Sequence, residues 1–265
     1  MRHWARLFIT VGVMIGLVCQ AAQAEPVAVR FPQGVTHGFL VVRSLAGDVV
    51  GHGEVTQIVK STDLVESHLV FDFKDGSLHD ETVVFSQQRL LTLVRYQLIQ
   101  RGPSFPEQIE VSMDRTTADY TVRTREGPVQ EEKTVSGELA LPKDVYNGML
   151  VTVLLNLPKA ASETVHIVSF NPRPQVFKLE LQFHGEQTAR ISQLSRKAFK
   201  YVFKPDIGTI REFFGKLLGK LPDDFHYTCW ILADEISSFV GFEGPLHLKG
   251  PILHIELVSP DLEVQ

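Results

Sequence analysis

Four times the chain writes His-x-Glu: His52/Glu54, His79/Glu81, His184/Glu186 and His254/Glu256. Residues i and i+2 share one face of a β-strand, so each pair sets an imidazole beside a carboxylate. That is half the donor set of a divalent cation, and a metal centre needs two such pairs converging from neighbouring strands. His184 and Glu186 flank a glycine read as a turn, and His79 and Glu81 follow the Asp75-Gly76 turn. No metal ligand set is therefore assigned, and no cofactor is expected. His226-x-x-Cys229 has metal-like spacing but no second pair of its kind. Cys229 sits in the apolar run from Tyr227 to Ile231, which reads as a buried small hydrophobe rather than a reactive thiol.

Local catalytic signatures are absent. The chain has no G-x-S-x-G elbow, no S-x-x-K, no H-E-x-x-H and no phosphate-cradling glycine loop. No catalytic residue is assigned. A hydrolase or metal enzyme built from scattered His and Glu stays open as an alternative.

The elements that would position these side chains are mostly strands. Short alternating segments are punctuated by turns, the pattern of antiparallel sheet. The clearest hairpin spans Val176 to Phe203. Phe177, Leu179, Leu181 and Phe183 alternate with Lys178, Glu180 and Gln182, His184-Gly185-Glu186 supplies the expected turn, and Phe199, Tyr201 and Phe203 continue the pattern on the return. A second hairpin turns at Asp75-Gly76, between Leu69-Phe71-Phe73 and the strand holding Val83 and Phe85. A third turns at Glu126-Gly127-Pro128. Its charged, threonine-rich arms read as solvated outer strands, with Glu131-Glu132-Lys133 guarding an edge. Further strands are expected at Gly38–Ser44, Val49–Val59, Leu90–Gln100, Ile109–Asp114, Val165–Phe170 and Ile252–Val258.

Two segments break the two-residue period. Lys143 to Leu157 places Val145, Met149, Leu150, Val153, Leu154 and Leu157 at helical spacing, with Asp144 as a cap and Pro158 as a stop. Ile207 to Leu221 gathers Ile207, Ile210, Phe213, Phe214, Leu217, Leu218 and Leu221 on one face. The expected fold is mainly β, a β-rich α+β architecture with a curved antiparallel sheet or half-barrel and two covering helices.

The 265 residues carry 26 basic and 31 acidic side chains, a formal net charge of −5. The first 24 contain no acid. Arg2, His3 and Arg6 precede an apolar core from Leu7 to Val18, and Ala22-Gln23-Ala24 offers a small-x-small cleavage site. This is the layout of a secretory signal peptide, too short in its apolar core for a comfortable span. Val18 before Cys19 does not fit a lipobox. Residues 1–24 are therefore expected to be a signal peptide and 25–265 a single β-rich domain, periplasmic or secreted, with no membrane span after cleavage. Losing Arg2 and Arg6 leaves a more negative protein, a poor electrostatic partner for nucleic acid.

Phe203-Lys204-Pro205-Asp206-Ile207-Gly208, Trp230-Ile231, Phe242-Glu243-Gly244-Pro245-Leu246 and Gly250-Pro251 together resemble a family of exported bacterial proteins of unknown function. The layout of strands and helices also resembles periplasmic half-barrels of the lipoprotein-carrier type. The second resemblance implies a curved sheet around an apolar groove, and fold alone does not fix function. The expected function is binding or carrying a hydrophobic ligand or envelope lipid. Its lining candidates are Phe177, Leu179, Leu181, Phe183, Phe199, Tyr201 and Phe203 from the sheet, with Phe213, Phe214, Leu217 and Leu218 from the second helix. A closed core made of the same residues is the competing outcome. A structural or adaptor protein of the envelope, with a protein partner and no ligand, is the other alternative.

Overall fold

The computed structural model describes residues 26–126, 131–170, 173–191, 194–206, 226–234, 237–248 and 250–259. Within them the chain forms fourteen strands and one short helix. The first eight strands are β1 (Thr36–Ser44), β2 (Val49–Ser61), β3 (Leu64–Phe73), β4 (Leu78–Ser86), β5 (Thr92–Arg101), β6 (Gln108–Asp114), β7 (Asp119–Glu126) and β8 (Glu131–Glu138). Helix α1 (Leu150–Asn156) follows. The chain returns through β9 (Glu163–Ser169), β10 (Gln175–Ile191), β11 (Leu194–Pro205), β12 (Tyr227–Leu232), β13 (Phe239–Gly244) and β14 (Leu253–Val258).

All fourteen strands join one antiparallel sheet in the order β8-β7-β6-β5-β4-β3-β2-β1-β14-β13-β12-β11-β10-β9. Two meanders thus share a seam at β1 and β14. The crossover between them, residues 139–162, leads from one edge strand to the other. Registers carry one face across the middle of the sheet: Phe71 lies opposite His79 and Gly53, Gly53 opposite Leu40, and Leu40 opposite Leu257. That face is the inside of an open, half-barrel-like curve. Its main core joins Val83, Phe85, Leu93 and Met113 of one meander to Leu179, Leu181, Tyr201 and Phe203 of the other, with Met149, Val153 and Leu154 between them. Each such side chain contributes about 1.5–3 kcal/mol on burial. A second core along the same face gathers Leu40, Val42, Phe71, Phe73, Phe105, Leu253 and Ile255.

On the inner face of β2, glycines stand where side chains would collide with β3. A Cβ on Gly53 would strike the Phe71 ring and stand 2.6 Å from the Val70 carbonyl oxygen. The missing side chain lets a buried phenyl ring lie against the backbone.

Three expectations need correction. First, the segment from Lys143 to Leu157 is helical only over Leu150–Asn156. Gly148 adopts φ +65, and Val145 bridges to His166 in a short parallel pairing, so the chain runs strand-like before it coils. Asp144 is no cap: it accepts from His166 at 2.7 Å, and Met149 precedes the helix without a side-chain cap. The turn's β-branched Val151, Thr152 and Val153 are weak helix formers, so packing sustains it. Second, His184-Gly185-Glu186 does not turn the chain. β10 runs through it, and Gly185, at φ +96, forms a bulge after which Glu186 pairs with Phe199. Third, α1 is the one helix among the described residues, so two covering helices are not seen. The expected helix Ile207–Leu221 lies outside the described residues. The Asp75-Gly76 hairpin and the exposed edge strand β8 match expectation.

Candidate functional site

Four connections meet at one end of the second core, and each is fixed by local chemistry. In the β1–β2 turn, Gly47 at φ +92 donates its N–H to the Ser44 carbonyl. In the β3–β4 turn, Asp75 accepts from the Ser77 N–H at 2.9 Å, the Asx arrangement that favours Asp-Gly turns. The β5–β6 connection folds back on that turn. The Ser104 N–H donates to the Ser77 hydroxyl at 2.8 Å and its own hydroxyl donates to Asp75 at 2.6 Å. These bonds hold the Asp75 carboxyl below the usual carboxylate range, the Ser104 hydroxyl contributing most. In the β13–β14 connection, His247 Nε2 lies 3.2 Å from the Ser104 carbonyl oxygen, which can only accept, so that nitrogen carries the proton.

Between these connections lies a hollow of about 320 Å³. Val49, Val50, Phe73, Phe105, Leu246, Pro251, Ile252 and Leu253 give it apolar walls, and Ser44, Lys74, Asp75, Ser104 and His247 complete it. Phe105 is 2% exposed and meets the edges of Phe73 at 5.8 Å and His247 at 5.5 Å. Leu45, 65% exposed, and Ile252, 45% exposed, stand on the turns beside the mouth.

Beneath Phe105 lies His79, its ring centroid 6.3 Å away. His79 is buried, and loss of solvation lowers its pKa to about 4, only partly offset by Asp80. Gln100 Nε2 stands 3.0 Å from His79 Nδ1 and donates to the Leu246 carbonyl at 2.8 Å.

The other polar groups are structural ties. Tyr96 donates to Glu81 at 2.8 Å, and burial raises the pKa of both. The Asp144–His166 pair is backed by main-chain bonds from the His166 N–H to the Asp144 carbonyl and from the Tyr146 N–H to the His166 carbonyl. The Asn147 amide donates to the Val168 carbonyl and accepts from its N–H, both at 2.8 Å, as a strand would. The free edge of β9 is covered this way. Arg115 donates to the carbonyls of Leu93, Leu141 and Pro142, pinning the crossover to the sheet, and desolvation lowers its pKa.

The four His-x-Glu pairs go separate ways. Glu54 meets His37 at 3.1 Å, and Glu186 meets Lys197 at 2.7 Å. His79 and Glu81 share the inner face but serve Gln100 and Tyr96. His254 and Glu256 come together at 3.8 Å, and Glu256 is already held by Arg43 at 2.8 Å. Among the described residues no three His, Cys, Asp or Glu side chains form a metal-binding group. Cys229 is fully buried, and burial pushes its thiol up to about 12.

Of the expected groove lining, Leu179, Leu181, Tyr201 and Phe203 are packed in the main core and Phe177 is 2% exposed. Phe183 and Phe199 are partly buried and meet edge to face at 5.5 Å. Phe213, Phe214, Leu217 and Leu218 lie outside the described residues. The hollow therefore sits farther along the same inner face, on strands of the other meander and the seam. Sequence reading missed it, although one signal was present: Phe105, an aromatic between Pro103 and Pro106 in a segment otherwise marked as loop.

No family model, curated protein or solved structure matches this chain. The site must be read from its own chemistry.

Proposed function

We propose that the protein is an exported carrier or binder of a hydrophobic or acyl-bearing ligand, held in the hollow between Phe73, Phe105 and Leu253. The observation that carries this reading is the hollow itself. Protein interiors close such spaces, whereas ligand pockets start at roughly 300 Å³ and combine apolar walls with a few polar groups. Leu45 and Ile252 add apolar surface at the mouth, where an acyl chain would leave water. Resemblance to lipoprotein-carrier half-barrels and the N-terminal signal-peptide pattern agree with an envelope lipid as cargo, delivered in the periplasm or outside the cell.

The rim does carry Asp75, Ser104 and His247, the residue types of a hydrolytic triad, but their wiring is wrong for one. In a triad the histidine takes the serine proton and the acid orients the histidine. Here the Ser104 hydroxyl donates directly to Asp75, and His247 donates to the Ser104 carbonyl. The lowered Asp75 carboxyl is a poor base. This arrangement builds a rigid wall, and binding without covalent chemistry is the reading it supports.

The experiment is native mass spectrometry of the full chain purified from the envelope fraction of its own source. Bound species of lipid mass, released by organic extraction, are the expected result. A bare polypeptide mass at every collision energy would remove the proposal.

A further inference from the structure

We infer that His79 is an acid-operated latch on this pocket: protonation of its Nδ1 breaks the Gln100–Leu246 hydrogen bond and releases the β13–β14 connection that forms one wall. The inference rests on the ligand-pocket reading and adds regulation to it.

The geometry fixes the proton positions. The Leu246 carbonyl only accepts, so the Gln100 atom 2.8 Å from it must be the amide nitrogen. The same nitrogen lies 3.0 Å from His79 Nδ1, which must then offer its lone pair. His79 is thus a neutral imidazole with its proton on Nε2. A second proton would set an N–H against the amide N–H₂ at that distance. Turning the Gln100 amide over repairs the clash with His79 but points a carbonyl oxygen at the Leu246 oxygen. With the ring in its observed orientation between Phe71 and Phe105, the turned amide satisfies His79 and gives up the bond to Leu246.

The surroundings leave the imidazolium without a direct ion-pair partner: Glu81, two residues along the same inner face of β4, is buried and engaged by the Tyr96 hydroxyl at 2.8 Å. On the inner face His79 meets Phe71 of β3, Gln100 of β5 and the Phe105 ring. Asp80, next along β4, alternates to the outer face and is tied to His68 at 2.9 Å. Arg101 of β5 pairs in register with Leu78 and is exposed. His247 stands across Phe105, and Asp75 is reached only through Ser104. Burial therefore opposes protonation until the medium is acid, near the depressed value of about 4. His79 does not line the hollow, so the switch stands outside the binding surface while acting on Leu246, which does.

The test is hydrogen–deuterium exchange of the amides around Leu246–Ile252 in the full chain at pH 7 and pH 3.5, corrected for intrinsic exchange. Alongside it, binding of the uncharged fluorophore N-phenyl-1-naphthylamine is followed over the same range. In the wild type, exchange of this connection should rise at least tenfold in acid and the fluorophore should be released. His79→Phe should abolish the acid-induced rise and hold the fluorophore at pH 3.5. Gln100→Leu should show the raised exchange already at pH 7, which keeps the test decisive if His79→Phe does not fold. Equal acid opening in wild type and His79→Phe, or a quiet connection in Gln100→Leu, overturns the latch. A wild type that never binds the fluorophore at pH 7 speaks against the pocket reading instead, and the exchange data still judge the latch.

Discussion

The Tyr96 hydroxyl donates to the Glu81 carboxylate at 2.8 Å inside the curve of the sheet, with the Phe170 ring stacked 5.7 Å from Tyr96. Burial raises the Glu81 pKa, and the hydroxyl holds it back. Tyr96→Phe should therefore destabilise the fold by about 1–3 kcal/mol, the cost of an unpaired buried acceptor. The sign follows from linkage. A carboxyl with a raised folded pKa favours folding below its unfolded value and loses that contribution as pH rises through the folded value. Removing the hydroxyl raises the folded value further, so urea denaturation should show a larger penalty at pH 7 than at pH 4. An equal penalty at both would contradict this role.

His79 gives the opposite dependence. Its folded pKa of about 4 lies below the ordinary 6.5, so the unfolded chain takes up its proton first. Stability is full above the unfolded value and falls as pH drops toward the folded one. At 1.36 kcal/mol per pKa unit the loss between neutral pH and pH 4 is about 3 kcal/mol. Denaturation curves of His79→Phe should lack that part of the acid sensitivity, while the slopes of the two curves at neutral pH agree.

Asn147 stands in for a strand beside β9 by bonding both backbone groups of Val168. Asn147→Ala removes two hydrogen bonds at about 1 kcal/mol each and reopens a sheet edge. A drop of about 2 kcal/mol is expected, with faster amide exchange at Val168 than at the same residue of the wild type. Unchanged exchange there would show that the crossover is held by packing alone.

Gly53→Ala places a methyl group against the Phe71 ring and the Val70 carbonyl. Overpacking of this kind costs about 1–3 kcal/mol, and the Phe71 ring and the β3 backbone must shift to relieve it. Thermal unfolding reads the cost directly. Gly47→Ala, by contrast, meets nothing within 4 Å and is strained only by its φ of +92, so it should cost less.

These contacts show what a single sequence makes legible. Alternation exposed most strands, and Asp75-Gly76 marked its hairpin because that pair demands a tight turn. His184-Gly185-Glu186 looked the same but is a bulge. A glycine with positive φ serves both, and only the pairing of Glu186 with Phe199 distinguishes them. The helical spacing from Val145 to Leu157 was real as burial, yet its first half pairs with β9 because the crossover must reach that edge. The pocket was least legible. Its walls come from four connections that approach only when the sheet coils, so Ser44, Asp75, Ser104 and His247 share no local period.

The central claim is that the hollow between Phe73, Phe105 and Leu253 binds an apolar ligand. Titration of N-phenyl-1-naphthylamine against wild type and Ser44→Trp at pH 7 tests it most directly, since Ser44 lines the hollow and an indole there would fill it. The account predicts saturable binding by the wild type and at least a tenfold weaker affinity in Ser44→Trp, with circular dichroism and melting temperature preserved. Equal affinity in the two proteins, or no saturable binding by the wild type, would contradict it.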